Sequence, residues 1–250
     1  MELLPGILYV LRSGCRWRDV NRMGIADGVT HWRRMRYWKR GLKGRPSVDE
    51  HGKSKKSTYF GLLWRHLLDL LIKSKKLDTK VLCLDGTLVP SFDFQERVSF
   101  SGKHHTLGFK LSILTDATGI PLGVNLAPGS WNDMRLAVDT KEHMHTSKSL
   151  NLFGSMLLAD KGYDSFEFRK YLLWKGFQSN IPKRSTTRGR EKELYSFHPI
   201  LAKFRFVIER TNAWLKSFKR LHFRFDKTTY SFECFLYLAI IVICVRRLMS

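Results

Sequence analysis

Two short apolar runs in this chain each close on an aspartate, VLCLDGT at Asp85 and MLLADKGYDS at Asp160. A carboxylate at the end of a buried strand is held rigidly at a sheet edge, where α/β folds collect ligands. A third carboxylate, Glu209, lies in FRFVIERTNAWLKSFKR, which runs from Phe204 to Arg220. Wound as an α-helix at about 100° per residue, that stretch puts Arg205, Glu209, Asn212, Lys216 and Lys219 in one stripe. Val207, Ile208, Thr211, Trp214, Leu215 and Phe218 fall on the other side. One acid among cations and an amide, with a strong apolar back, suits a helix that offers a metal-binding oxygen pair beside a polyanion. Hard cations such as Mg²⁺ take oxygen ligands and keep some coordination for water and substrate. Three carboxylates can bind a pair of such ions. Two metals about 3.5–4 Å apart activate a water or hydroxyl and stabilise the leaving oxygen in phosphodiester cleavage. Taken singly, each feature has an ordinary reading. An Asp after an apolar run is commonly a turn or cap residue, and a cationic stripe is commonly a solvated helix face. The combination in one basic chain is what gives it specificity.

The elements that must position these groups are legible from composition and periodicity. The chain has 250 residues, 43% of them hydrophobic, enough for one large domain or a main domain with a small appendage. Lysine and arginine number 44 against 22 acids, a formal charge of +22. Such an excess repels itself in the compact state and is relieved by a polyanion. A phosphate backbone fits best, an anionic membrane surface being the competitor. Cys15, Cys83, Cys234 and Cys244 have no CxxC spacing, which excludes a zinc site and a disulfide framework and suits a reducing cytosol. No signal peptide is visible at the start. The most apolar run, Phe235 to Val245, falls short of the ~20 residues that span a bilayer, so it reads as a buried core helix.

From the start, Leu3, Leu4, Ile7, Leu8 and Leu11 recur at helical spacing with Gly14 as a stop. A second helix, Val29 to Arg40, carries Arg33, Arg34, Arg36, Lys39 and Arg40 around Trp32, Met35 and Trp38. Two short helices about a turn, the second rich in arginine, predict a helix-turn-helix-like DNA-contacting unit. A basic bundle docked on the rest of the chain is the equal alternative. Ser47 to Ser57 reads as a linker, and Tyr59 to Leu71 as a helix ending in lysines. A boundary follows near residue 77, giving a helical region over 1–76 and a catalytic domain over 77–250. Strands are predicted at Val81–Leu84, Phe109–Leu114, Ile120–Leu126, Ser155–Ala159 and Phe177–Ile181. Helices are predicted at Asn132–His145 and Ser165–Trp174, and a polar, basic loop from Lys183 to Glu193. The order implies an α/β fold with a mixed sheet and helices packed on it. Asp116 is assigned to a hairpin turn, Asp164 to helix entry, Asn132 and Asp133 to helix N-capping, and Trp131 to core packing.

The blocks LDGT around Asp85, ADKGYDS around Asp160 and FVIERTNAWLKSFKR around Glu209 together resemble those of a DDE transposase of bacterial insertion sequences, closest to the insertion sequence five family. HHTLGFKLSILTDATGIPLGVNLAPGSWNDM, DKTTYSFECFLYLAIIV and GILYVLRSGCRWRDV resemble its central strands, its last helix and its N-terminal helical region, so the likeness covers nearly the whole chain. In the third block Arg205, Glu209 and Lys216 stand at the family's spacings, and Ala202 replaces its tyrosine. The resemblance implies a ribonuclease H-like catalytic domain in which Asp85, Asp160 and Glu209 bind two Mg²⁺ ions, with Mn²⁺ able to substitute. Arg205 and Lys216, with Asn212, Lys219, Arg33, Arg34, Arg36 and Lys39, are then expected to contact DNA. The implied partners are double-stranded DNA, both inverted repeats and target, and further copies of the chain as a homodimer or higher in a synaptic complex, with no membrane and a bacterial cytoplasmic, nucleoid-associated location. The short interval between Asp160 and Glu209 leaves no room for the β insertion of some related transposases. Family members usually carry residues ahead of the helix at Leu3, so the chain reads as an N-terminally shortened copy or part of a split reading frame. The alternatives are an impaired copy that only binds DNA, and a related nuclease.

Overall fold

The computed structural model describes residues 3–39, 47–48, 54–55, 58–142, 144, 151–184 and 197–250. The helices are α1 (Leu3–Ser13), α2 (Gly28–Lys39), α3 (Tyr59–Lys73), α4 (Asp133–Glu142), α5 (Phe166–Trp174), α6 (Pro199–Ala202), α7 (Phe206–Ser217), α8 (Lys219–His222) and α9 (Thr229–Met249). The strands are β1 (Ser47–Val48), β2 (Ser54–Lys55), β3 (Val81–Pro90), β4 (Ser99–Ser101), β5 (Thr106–Asp116), β6 (Pro121–Pro128), β7 (Met156–Leu158) and β8 (Gln178–Asn180). Most of the expected linker over 47–57 lies outside the described residues, with β1 and β2 pairing antiparallel inside it. The basic loop predicted from Lys183 lies, beyond Arg184, outside them too.

The main sheet runs β4-β5-β3-β7-β8, with β6 also paired to β5. β3, β5 and β6 form an antiparallel meander. β7 and β8 then add parallel to β3 and to each other. A mixed sheet in this order, with three antiparallel strands followed by two parallel ones reached through helices, is the ribonuclease H-like arrangement that the sequence blocks imply. β5 is buried almost from end to end, as a central strand covered on both faces must be.

The β5–β6 turn fixes where α7 lies. Asp116, fully buried, accepts from the backbone N–H groups of Asp78, Thr118 and Ile120 at 2.8, 3.1 and 2.7 Å. Gly119 follows at φ +92°, a left-handed conformation that favours glycine. A β-carbon there would come within 2.8 Å of Thr211 Oγ1, because α7 docks on this turn. Thr211 Oγ1 donates to Gly119 O at 2.8 Å, and Arg210 Nη2 donates to Thr118 O at 2.8 Å. These two bonds set the rotation of α7 about its axis, and with it the face that Glu209 occupies.

One core joins the N-terminal helices to the sheet. Ile7, Val10, Leu11, Met35, Trp64, Leu68 and Leu71 belong to the same buried cluster as Leu82, Ile113, Phe235 and Ile240. The apolar run predicted as a core helix is α9, with Phe232, Phe235, Ala239 and Ile240 fully buried. Among the described residues, no helix is long and apolar enough to cross a membrane. Burying a Leu, Ile or Phe side chain contributes about 1.5–3 kcal/mol, so this shared core ties α1, α2 and α3 to α9 and the sheet.

Candidate active site

Asp85 is a mid-strand residue. Sequence alone ended its strand at Leu84, whereas β3 continues to Pro90, with Gly86, Thr87, Leu88 and Val89 paired to Ser112, Leu111, Lys110 and Phe109. The apolar pattern breaks at Asp85 because this half of β3 is only partly covered, residues 85–88 being half-buried. The parallel pairing of β3 with β7 ends at Cys83–Leu158. Asp85, within β3, and Asp160, just past the end of β7, each lie two residues beyond that pair and so at a similar level. Neighbouring strands lie about 4.8 Å apart, which makes this a carboxylate pair built by register. Asp160 also caps the turn Lys161–Tyr163, its Oδ1 accepting from the Gly162 N–H at 2.6 Å.

The third carboxylate comes from α7. Asn212 Nδ2 donates to Asp85 Oδ2 at 3.2 Å. Residues three and four apart share a helix face, so Arg205 and Glu209 stand over the same ground as Asn212. The electrostatics agree. Burial holds the Asp85 carboxyl above the usual carboxylate range. The Gly86 N–H and Arg205 pull it back, and Asp160 and Glu209 push it up.

The stripe predicted on one helix is broken. α7 stops at Ser217, Phe218 is extended at ψ 102°, and Lys219 begins the short α8. Phe218 turns into the core, and Arg220 is drawn into a buried ion pair with Asp226 at 2.8 Å. Lys216 stays on α7, half-buried, and Lys219 is exposed beyond the break. On α2, Arg33 and Arg34 face outward. Lys39 instead pairs with Glu233 at 2.7 Å, and Arg36 stacks on Trp32 at 4.6 Å. Lys39, through Glu233, and Arg36, which also lies 5.7 Å from the Tyr230 ring centre, hold α2 to α9.

Two residues read as helix caps do other work. Asn132 does cap α4, its Oδ1 accepting from Met134 N at 2.8 Å. Asp133 instead pairs with Lys110 Nζ at 2.6 Å. Asp164 is fully buried and accepts from Arg169 Nε and Nη2 at 2.9 and 2.8 Å, and from Arg184 N at 2.7 Å. No sequence spacing links Lys110 to Asp133, since only the fold brings β5 under the start of α4. Trp131 is half-buried under the Arg135 guanidinium, 4.2 Å from its ring centre. His104 is exposed, and its pKa is lowered by burial and then by Lys103 and Lys110, with Lys216 acting the same way. Cations from the β4–β5 loop, from β5 and from α7 therefore converge on one place. Beside it runs a cleft of about 780 Å³ lined by Lys103, Lys110, Asp160, Lys161, Lys183 and Arg184.

The donor set suits a hard divalent cation, since Asp85, Asp160 and Glu209 offer only carboxylate oxygens. Asn212 Oδ1 and Arg205 Nε are buried without a hydrogen-bond partner among the described residues. Buried polar atoms are normally satisfied, so these two mark a place for a polar ligand beside Asp85. Among the described residues, no three His, Cys, Asp or Glu side chains stand close enough to close on an ion as they are. Glu209 is exposed on α7.

Comparison with known proteins agrees with the blocks. The profile of the family described as transposase DDE domain matches residues 76–245, and this family generally uses divalent metal ions. The protein assigned as the transposase of insertion sequence element IS402 from Burkholderia cepacia is 32% identical over 153 residues, covering 60% of this chain and 65% of its own. The uncharacterized 16.2 kDa protein of the same insertion element is 58% identical over 36 residues, 14% of this chain and 24% of its own. The chain thus spans less than two thirds of either curated relative. Among solved structures, a piggyBac transposase synaptic complex with hairpin DNA overlaps 74% of this chain and 52% of its own, at 13% identity and a TM-score of 0.44. A Mos1 mariner paired-end complex with Mn overlaps 96% and 77%, at 10% identity and a TM-score of 0.30. With the family profile covering well over half its length and the two aspartates and the glutamate placed as described, the chain belongs to the transposase DDE domain family.

Proposed function

We propose that this chain cuts DNA at the inverted-repeat ends of an insertion sequence and joins them to target DNA. Asp85, Asp160 and Glu209 would hold two Mg²⁺ ions, with Mn²⁺ as a substitute. The observation that supports the reading is the β3–β7 register, which ends two residues before both Asp85 and Asp160, with α7 bonded to Asp85 through Asn212. When bound, such ions activate the attacking oxygen and stabilise the leaving one.

The chain's own groups divide the remaining work. Asn212 holds the Asp85 carboxylate in one orientation, which suits it to positioning more than to DNA contact. Arg205, beside Asp85, and Lys216, one turn past Asn212, hold phosphate oxygens of the end being cut. Charge-assisted contacts of this kind fix strand position without reading sequence. Arg33 and Arg34, exposed on α2, add backbone contacts farther along the duplex, as Lys219 does beyond the α7 break. A duplex held by many such cations binds with strong salt dependence. Two ends must be held together before joining, so the working form is a homodimer or larger, acting in the bacterial cytoplasm.

The test is cleavage and joining of a labelled element end in Mg²⁺. Asp85→Asn, Asp160→Asn and Glu209→Gln should each lower cleavage by at least about 10³-fold, while end binding changes by less than about threefold. Cleavage surviving in all three variants overturns the assignment. Cleavage by the unmodified chain without joining makes it a nuclease on the same scaffold.

A further inference from the structure

Lys110 is an unusual residue to find in the middle of a buried strand. It lies on β5 opposite Leu88, only 9% exposed, and donates to Trp131 O at 2.5 Å and to Asp133 Oδ1 at 2.6 Å. An ammonium carries three donors, and among the described residues these two acceptors account for two of them. The third is left in the cleft that Lys110 lines together with Asp160, Lys161, Lys183 and Arg184. As a purely structural device the pair is a poor choice. The Asp133 side chain is 29% exposed, and an ion pair open to water on one side adds little to stability. Nor does Asp133 neutralise the site, since cations outnumber acids along the cleft. Asp133 is itself held next to the catalytic strand, with its Oδ1 within 3.7 Å of where a β-carbon on Gly86 would lie.

Resting on the DNA-cutting function proposed above, we propose that Lys110 is a phosphate-binding residue, held for that task by Asp133 and Trp131 O. Its free N–H donates to a backbone phosphate of the DNA strand lying in the cleft beside Asp160. Because Asp133 and the Trp131 carbonyl hold the ammonium before DNA arrives, Lys110 does not have to be ordered on binding. Asp133 is a positioning residue, acting on DNA only through Lys110.

Two measurements on the full chain test this. The first is binding of a generic duplex over a range of salt in Ca²⁺, comparing the unmodified chain with Lys110→Gln, Lys110→Arg and the double variant Lys110→Met/Asp133→Asn. Losing one phosphate contact lowers the slope of log affinity against log salt by about 0.9. That loss is expected in Lys110→Gln and in the double variant but not in Lys110→Arg. The double variant leaves no charge unpaired, so it folds even if Lys110→Gln does not. The second is end cleavage, expected to fall about 10–100-fold in Lys110→Gln. It should fall no further in the double variant, since Asp133 has no role without Lys110. An unchanged salt slope in a folded Lys110→Gln or in the double variant overturns the proposal, as does cleavage in the double variant well below the Lys110→Gln level. If the unmodified chain does not cut ends at all, the function fails while the salt slope still decides whether Lys110 holds phosphate.

Discussion

Asp85→Asn should make the metal-free protein more stable at neutral pH while removing its activity. Asp85 is largely shielded from water and stands near Asp160 and Glu209, and burial followed by those two like charges raises its pKa, against opposition from the Gly86 N–H and Arg205. A carboxyl whose folded pKa lies above its unfolded value binds protons more tightly in the native state. Stability then falls as pH rises from the ordinary carboxylate value, about 3.9, through the raised one. Above the raised value the whole penalty is present. Asparagine removes it and keeps an oxygen for the Asn212 Nδ2 donor, now 3.2 Å from Asp85 Oδ2. The gain is on the order of 1 kcal/mol, or about 2–4 °C in Tm, and it should shrink as pH falls back through the raised value, where the folded-state carboxyl takes up its proton. Thermal unfolding in a chelator across that pH range measures it. A loss of stability at pH 7 would mean that the site is not strained in its metal-free form.

The largest structural loss should follow Arg169→Met. Arg169 and Asp164 form an ion pair whose side chains are both 0% exposed. The guanidinium also donates to Ile181 O at 2.7 Å, at the end of β8. Removing one partner of such a pair costs about 3–5 kcal/mol, because the other charge stays buried without its counterion. The effect reaches the active site by a short path. Asp164 Oδ2 accepts from Arg184 N, and Arg184 Nε and Nη2 donate at 2.7 and 2.5 Å to the carbonyls of Lys161 and Gly162. The Gly162 N–H in turn holds Asp160 Oδ1. The variant should therefore unfold at lower urea and lose affinity for divalent metal. A urea midpoint implying less than about 1 kcal/mol of loss would show that the network is dispensable.

These two sites also show how far the sequence carries. Asp85, Asp160 and Glu209 are legible because each is an acid in a local pattern that makes it stand out, two after apolar runs and one in a cationic helical stripe. The β5–β6 hairpin follows from its two apolar runs and the turn residues around Asp116 and Gly119. Asp164–Arg169 and Lys110–Asp133 leave no such trace. Asp164 opens a helix and Asp133 follows an Asn at a helix start, where capping is the local expectation, and their partners are chosen by tertiary packing. Lys39 and Arg36 are hidden for the same reason. A cation on a predicted helix looks free until the fold supplies Glu233 and Tyr230. The break at Phe218 is equally invisible, because nothing in KSFKR forbids helix, and the burial of Phe218 and the Arg220–Asp226 pair belong to the tertiary fold.

The central claim is that Asp85, Asp160 and Glu209 come from three separate parts of the chain to hold one metal centre. Fe²⁺ in place of Mg²⁺, with ascorbate and peroxide, generates hydroxyl radicals that cut the backbone beside the bound ion. Three clusters of cuts are expected, near residues 85, 160 and 209, all lost together in Asp85→Asn and all suppressed by excess Mg²⁺. Cuts confined to one of these segments, located elsewhere, or unchanged in Asp85→Asn would contradict it.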